Sequence, residues 1–314
     1  MIISSQQTLV ILDLFHKGWE QLQQLFEIHR HASTTAQFDK HKIEGVVEAI
    51  VEGVDIRLRG VGNYKKQLGQ TAINLLEHIE SLVDSIPSPT LVDKNALIYD
   101  PLTRILFPDE QTIQRILIHN RDIQTFFSKV ENSSTHEFFA LLLLHHKEKT
   151  VLGSRTQGQM LIRDVRQITL TFYGHRLVAP SLNEEHVRTE MLIILFECVI
   201  RYLKTRQIEE RKKLLTRDNR YLLNHPEENI NNPEVYLRVL LQQLRDPDRL
   251  VKLEQNRVRL SRTGIKLPLD SAEPSHLFKL YELQVGDDET SLINIIRCPK
   301  ETLSECAETR AIGF

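Results

Sequence analysis

Apolar residues recur at steps of three and four along the first quarter of the chain. Leu12, Phe15, Trp19, Leu22 and Phe26 form one stripe. After a polar stretch at 31–35, a second stripe continues through Ile43, Val47, Ile50, Val54, Leu58, Val61, Tyr64, Leu68, Ala72, Leu75, Ile79, Leu82 and Ile86. Such spacing puts side chains on one face of a helix, so the pattern predicts two antiparallel helices over 9–86 with facing stripes. Unbroken, the second helix spans about 43 residues, roughly 65 Å. Gly45, Gly53, Gly60, Gly62 and Gly69 fall inside it, each at a cost of about 1 kcal/mol against alanine. Gly45, Ala49 and Gly53 are four apart and make a groove for close helix approach, while Gly60-Val61-Gly62 is the expected kink. Pro87-Ser88-Pro89 ends the region because proline cannot continue the helical ladder.

Farther on, Pro108-Asp109-Glu110 opens a short helix to about His119, and another passes through Phe126 and Phe127. The capping-box spacing Ser134-Thr135-His136-Glu137 before the apolar run 138–146 predicts one more helix. The period then changes to two. Ile168, Leu170 and Phe172 alternate with Thr169, Thr171 and Tyr173, which predicts a strand, with 151–162 as its hairpin partner across a turn at Arg163-Asp164. Ser181-Leu182-Asn183-Glu184 opens a helix burying Met191, Leu195, Phe196, Val199 and Leu203. Asn232-Pro233-Glu234 opens another on Leu237, Leu240, Leu241 and Leu244, and Asp246-Pro247-Asp248 starts a short helix ending near Gln255. Strands are expected at 258–261, 265–267, 277–285 and 292–298, with a turn at Gly286-Asp287-Asp288. The fold class that follows is a helix-dominated α+β protein. A long N-terminal helical hairpin (1–88) precedes a mixed helical body (96–314) with short β-hairpins near 150–178 and 257–298.

Over 314 residues, 40 Lys and Arg face 42 Asp and Glu, a net charge of −2 that opposes a function dominated by polyanion binding. Cys198, Cys298 and Cys306 are odd in number and lack Cys-x-x-Cys spacing, which fits a reducing cytoplasm. No apolar run is long enough to span a bilayer, and the stretch 9–15 is interrupted by Asp13 with no preceding Lys or Arg, unlike a signal peptide. Phosphate loops, His-Glu-x-x-His and nucleophile elbows are absent, so no cofactor is expected. His29 with His31, and His145 with His146, diverge on a helix, so no metal site is expected either.

Polar chemistry concentrates around the predicted hairpin: Arg163 and Asp164 at one end of its second strand, His175 and Arg176 at the other. Asp164 and His175 are the candidate catalytic pair, although a strand of about seven residues would hold the clusters roughly 20 Å apart. Gly174 permits a bulge that re-aims His175 and Arg176. Between 201 and 220 eight basic residues meet three acidic ones, a local +5 that includes Lys212 and Lys213. This is a candidate phosphate-binding face, or a solvated face answered by Glu227-Glu228 or Asp287-Asp288-Glu289. Arg257 and Arg259 alternate onto one side of a strand as a second basic strip.

The expected function is an intracellular adaptor or regulatory protein acting through protein contacts, with homo-oligomerisation through the 43–86 helix as one route. An enzyme acting on an anionic substrate at 163–176 is the alternative. A nucleic-acid-associated factor, binding weakly through 201–220, is the third.

Overall fold

In the computed structural model of the chain, residues 40–302 are described apart from 133, 158–159, 217–231 and 288–289. The stripe from Leu12 to Phe26, the acidic pair Glu227-Glu228 and Cys306 lie outside the described residues. Helix α1 (Lys40–Val54) leads into a 3₁₀ turn (Ile56–Gly60) and α2 (Tyr64–Asp84). Then come β1 (Thr90–Leu91) and four short helices, α3 (Lys94–Tyr99), α4 (Pro101–Leu106), α5 (Glu110–Ile118) and α6 (Arg121–Ser128). Strands β2 (Glu137–Gln157) and β3 (Met160–Ser181) precede the 33-residue helix α7 (Glu184–Thr216). Helices α8 (Pro233–Leu244) and α9 (Pro247–Leu250) are followed by β4 (Val251–Leu260), β5 (Ile265–Leu267), β6 (His276–Val285) and β7 (Ser291–Pro299).

This architecture corrects the expected fold class. The described residues are 50% helix and 31% strand with a single seven-stranded sheet, so the body is not a helical one with short hairpins. No long N-terminal helical hairpin is present among them. Its first arm falls outside the described residues, and its second arm is two helices instead of one. The break has a local cause: Asp55 is extended (φ −159°, ψ 108°), and its carboxylate accepts from the Arg57 amide at 3.1 Å. Asn63 at φ 63° then completes the turn beside Gly62. The run 138–146 is strand, not helix. Phe138, Ala140, Leu142 and Leu144 are buried and so is Leu141, because β7 and β3 satisfy both edges of this stretch. Nor does the chain turn at Arg163-Asp164, which lie within β3. The helix after Asp246 stops at Leu250 and gives way to β4.

Two compact units form, each from two stretches of chain: residues 40–83 with 192–252, and 84–191 with 253–302. In the first, α2 buries Leu68, Ala72, Leu75 and Ile79 of the predicted stripe together with Leu76, and α7 buries Leu195, Phe196, Val199 and Leu203. A Cβ on Gly53 would overlap the Ile200 methyl of α7, so α7 approaches α1 closely at this glycine. The Nε2 of His78 lies 2.8 Å from the Val251 carbonyl and donates to it.

In the second unit the strand order is β1-β7-β2-β3-β5-β4-β6, and an added β6–β7 pairing closes the circuit from β7 back to itself. One core joins strand residues Phe138, Leu142, Leu170, Phe172, Leu177, Leu260, Leu280 and Ile296 to Phe107, Ile113, Leu117 and Ile123 of the short helices and their links. Those helices begin on side-chain caps, with Asp93, Asp100, Asp109 and Asn120 each accepting amide protons, a device worth about 1 kcal/mol apiece.

Candidate functional site

Strand β3 carries one structural device three times. At each of three places the register advances two residues on β2 but three on β3: opposite Phe139/Leu141, Leu143/His145 and Gly153/Arg155. At each, β3 holds a residue with positive φ: Ala179 at 52°, Gly174 at 68° and Asp164 at 59°. These are bulges, and an extra residue reverses which side chains face the core. Leu170 and Phe172 point inward; strict alternation would carry Gly174 and Arg176 inward after them. The Gly174 bulge instead turns His175 and Leu177 toward the core and leaves Arg176 exposed.

The environment of His175 is that of a packed residue. Its Nε2 donates to the Leu106 carbonyl at 2.6 Å, and its ring stacks on Phe107 with centroids 5.3 Å apart. Burial pushes the imidazole below its ordinary pKa, and the bond to Leu106 only partly opposes this. Asp164 lies eleven residues back along the same strand, exposed beside exposed Arg163. At about 3.3 Å per residue the pair is roughly 35 Å apart, so β3 does not bring them to one atom. Among the described residues no group of three or more His, Cys, Asp or Glu is arranged to hold a metal ion.

The basic candidates are likewise dispersed. Lys212 and Lys213 are exposed on α7, with Lys213 paired to Glu210 one turn away. Arg257 is exposed on β4. Its neighbour Arg259 donates to the Leu269 carbonyl at 2.8 Å and to Ser275 Oγ at 3.3 Å, which pins the 269–275 segment. Ile208, on the same helix, is 47% exposed. No helix among the described residues is long and apolar enough to cross a membrane.

What the sequence reading missed is the length of the β2–β3 hairpin. Strand β7 pairs with β2 only as far as Leu144, and β5 pairs with β3 only at Ile168 and Thr169. Among the described pairings, Thr150–Gln157 and Met160–Gln167 therefore hold only each other, a two-stranded ribbon about 25 Å long. Leu152 is 68% and Met160 76% exposed on it, with Ile162 and Ile168 also in solvent. The register Leu152↔Arg166 and Thr150↔Ile168 puts Leu152 and Ile168 diagonally adjacent on one face. Residues 147–167 carry five basic and two acidic side chains, a net +3. Comparison with known protein families, with curated proteins and with solved structures finds no match to this chain.

Proposed function

We propose that this chain is an intracellular adaptor or regulatory protein that works through protein contacts, with the β2–β3 ribbon as its docking element. The observation that carries the reading is apolar exposure where no fold requirement explains it: Leu152, Met160 and Ile162 on a ribbon that extends past its sheet neighbours, with Ile168 exposed at its base. Exposed apolar side chains on both faces, Leu152 and Ile168 on one and Met160 and Ile162 on the other, mark an interaction element, and the ribbon's outer edges offer backbone N–H and C=O groups to an added strand. The net +3 of 147–167 repels a second ribbon and favours an acidic protein surface. The enzyme alternative is less well supported, because His175 commits its Nε2 proton to Leu106 and Asp164 is far along the strand. The nucleic-acid alternative has Lys213 already paired to Glu210, and the ribbon between Thr150 and Gln167 has no aromatic side chain for base stacking.

Photo-crosslinking in cells with the reactive group at Met160, and a control at Tyr99, which is 79% exposed, tests the reading. The expected result is one discrete protein adduct at 160 alone, joined through an Asp- and Glu-rich peptide, and lost in Leu152→Asp/Ile168→Asp. An adduct to a second copy of this chain, to nucleic acid, or equally from both positions overturns it.

A further inference from the structure

The two edges of the β2–β3 ribbon are unlike. On β3 the outer edge is open over 160–167, because among the described pairings β5 meets only Ile168 and Thr169. Asp164 stands within that edge at φ 59°, in the bulge opposite Gly153 and Arg155. A bulge breaks the even spacing of backbone donors and acceptors that an added strand must match, and the exposed Asp164 carboxylate repels an acidic one.

Strand β2 has neither feature. Among the described residues it holds no positive φ, and β7 pairs with it only as far as Leu144, so its outer edge is open over 147–157. All three register shifts add their extra residue to β3, which leaves β2 in strict alternation. Lys147, Lys149 and Val151 therefore fall on one face, and Glu148, Thr150 and Leu152 on the other. On the second face Lys266 of β5 neutralises Glu148 at 2.5 Å. On the first, Lys147 and Lys149 are exposed and enter no ion pair among the described residues. One side of this edge is thus cationic, while the other presents Leu152, 68% exposed.

We propose that the β2 edge, and not the β3 edge, receives an extended acidic segment of the partner protein as an added strand, a placement that rests on the docking function of the ribbon. Residues directly opposite one another in adjacent strands share a face. The segment therefore carries Asp or Glu opposite Lys147 and Lys149, and an apolar side chain opposite Leu152. Along the segment this reads acidic-x-acidic-x-x-apolar, with the order reversed if it runs antiparallel. Backbone pairing supplies the affinity, and the two faces supply the choice of sequence. The net +3 of 147–167 opposes a second copy of this chain as the occupant.

Fluorescence anisotropy of a labelled Glu-Val-Glu-Val-Glu-Val-Glu peptide titrated with the full chain tests it. The probe is palindromic, so it presents glutamates to one face and valines to the other in either strand direction. Binding is expected, with slowed hydrogen exchange of the outward-facing amides of 147–153 and not of those of 160–167. Lys147→Glu/Lys149→Glu should weaken it about tenfold or more, and Arg163→Glu/Arg166→Glu, an equal change of net charge, by less than about threefold. A Glu-Glu-Glu-Glu-Val-Val-Val peptide of the same composition should bind about tenfold more weakly. No binding at millimolar peptide, equal binding of the two peptides, equal losses in the two charge variants, or protection of the β3 edge overturns the proposal. In cells, a Met160 adduct that persists in Lys147→Glu/Lys149→Glu overturns the edge assignment alone. The expected peptide results without any such adduct would remove the adaptor reading and uphold the preference of the β2 edge for an acidic strand.

Discussion

The imidazole of His175 donates from Nε2 to the carbonyl of Leu106 across a gap of 2.6 Å, joining β3 to the end of α4. That bond requires the proton on Nε2, and burial favours the neutral ring. A histidine in this position stabilises the fold through its neutral form and is sensitive to acid.

The first prediction is the resulting pH dependence. The folded-state pKa of His175 is lowered from 6.5, so on acidification the unfolded chain takes up this proton before the native one does. The stabilisation is whole above 6.5 and is lost as pH falls below it through the lowered native value. Urea unfolding midpoints should therefore fall between about pH 7.5 and about 5.5. In His175→Ala the fall should shrink, and stability at neutral pH should be lower by about 1–3 kcal/mol. An undiminished fall in the variant would assign the acid sensitivity to other groups.

The bulges of β3 supply the second. Ala179 sits at φ 52°, where an L side chain costs about 1–2 kcal/mol, partly offset in a glycine variant by the greater freedom of the unfolded chain. Ala179→Gly should stabilise by about 0.5–1 kcal/mol. Asp164 at φ 59° should accept Asn or Gly but lose stability on replacement by Val, whose branched Cβ is poorly tolerated there. Thermal unfolding of the four variants measures this, and a destabilising Ala179→Gly would contradict the bulge account.

A third concerns the approach of α1 to α7. The Cβ of Gly53→Ala would press on the Ile200 methyl, which is close to its own backbone and has little room to swing away. The cost should be about 1–3 kcal/mol despite the better helix propensity of alanine. Gly60→Ala, with open space around it, should be nearly neutral. In a double-mutant cycle with Ile200→Ala the two losses should add to less than their sum.

The fourth tests the basic helix. Lys212 and Lys213 are exposed on α7, so Lys212→Glu/Lys213→Glu should change stability by no more than about 0.5 kcal/mol. Residual binding to duplex DNA should be weak in the native chain, collapse as salt rises, and diminish further in the variant. Sequence-selective binding that survives physiological salt and disappears in the variant would instead favour the nucleic-acid reading.

Local signals in the sequence located what depends on neighbours in the chain. Period-two alternation placed Ile265–Leu267 and most of β6, and Asn232 before Pro233 marked the start of α8, where its side chain accepts the Glu234 amide. A lone glycine among alternating residues pointed to the bulge at Gly174. The apolar run 138–146 was beyond such signals, since it has no period to choose helix or strand, and the choice fell to β7 and β3, which supply hydrogen bonds along both its edges. The long stripe from Ile43 to Ile86 predicted one helix kinked at Gly60-Val61-Gly62; the chain leaves the helix earlier, after Val54, because apolar spacing does not register that Asp55 can cap Arg57. For the same reason nothing marked Gln207. Its burial depends on Tyr236, far along the chain, whose carbonyl accepts from its Nε2. Periodicity determines which face of an element is apolar; which distant backbone edge or charge meets that face is decided only when the chain has folded.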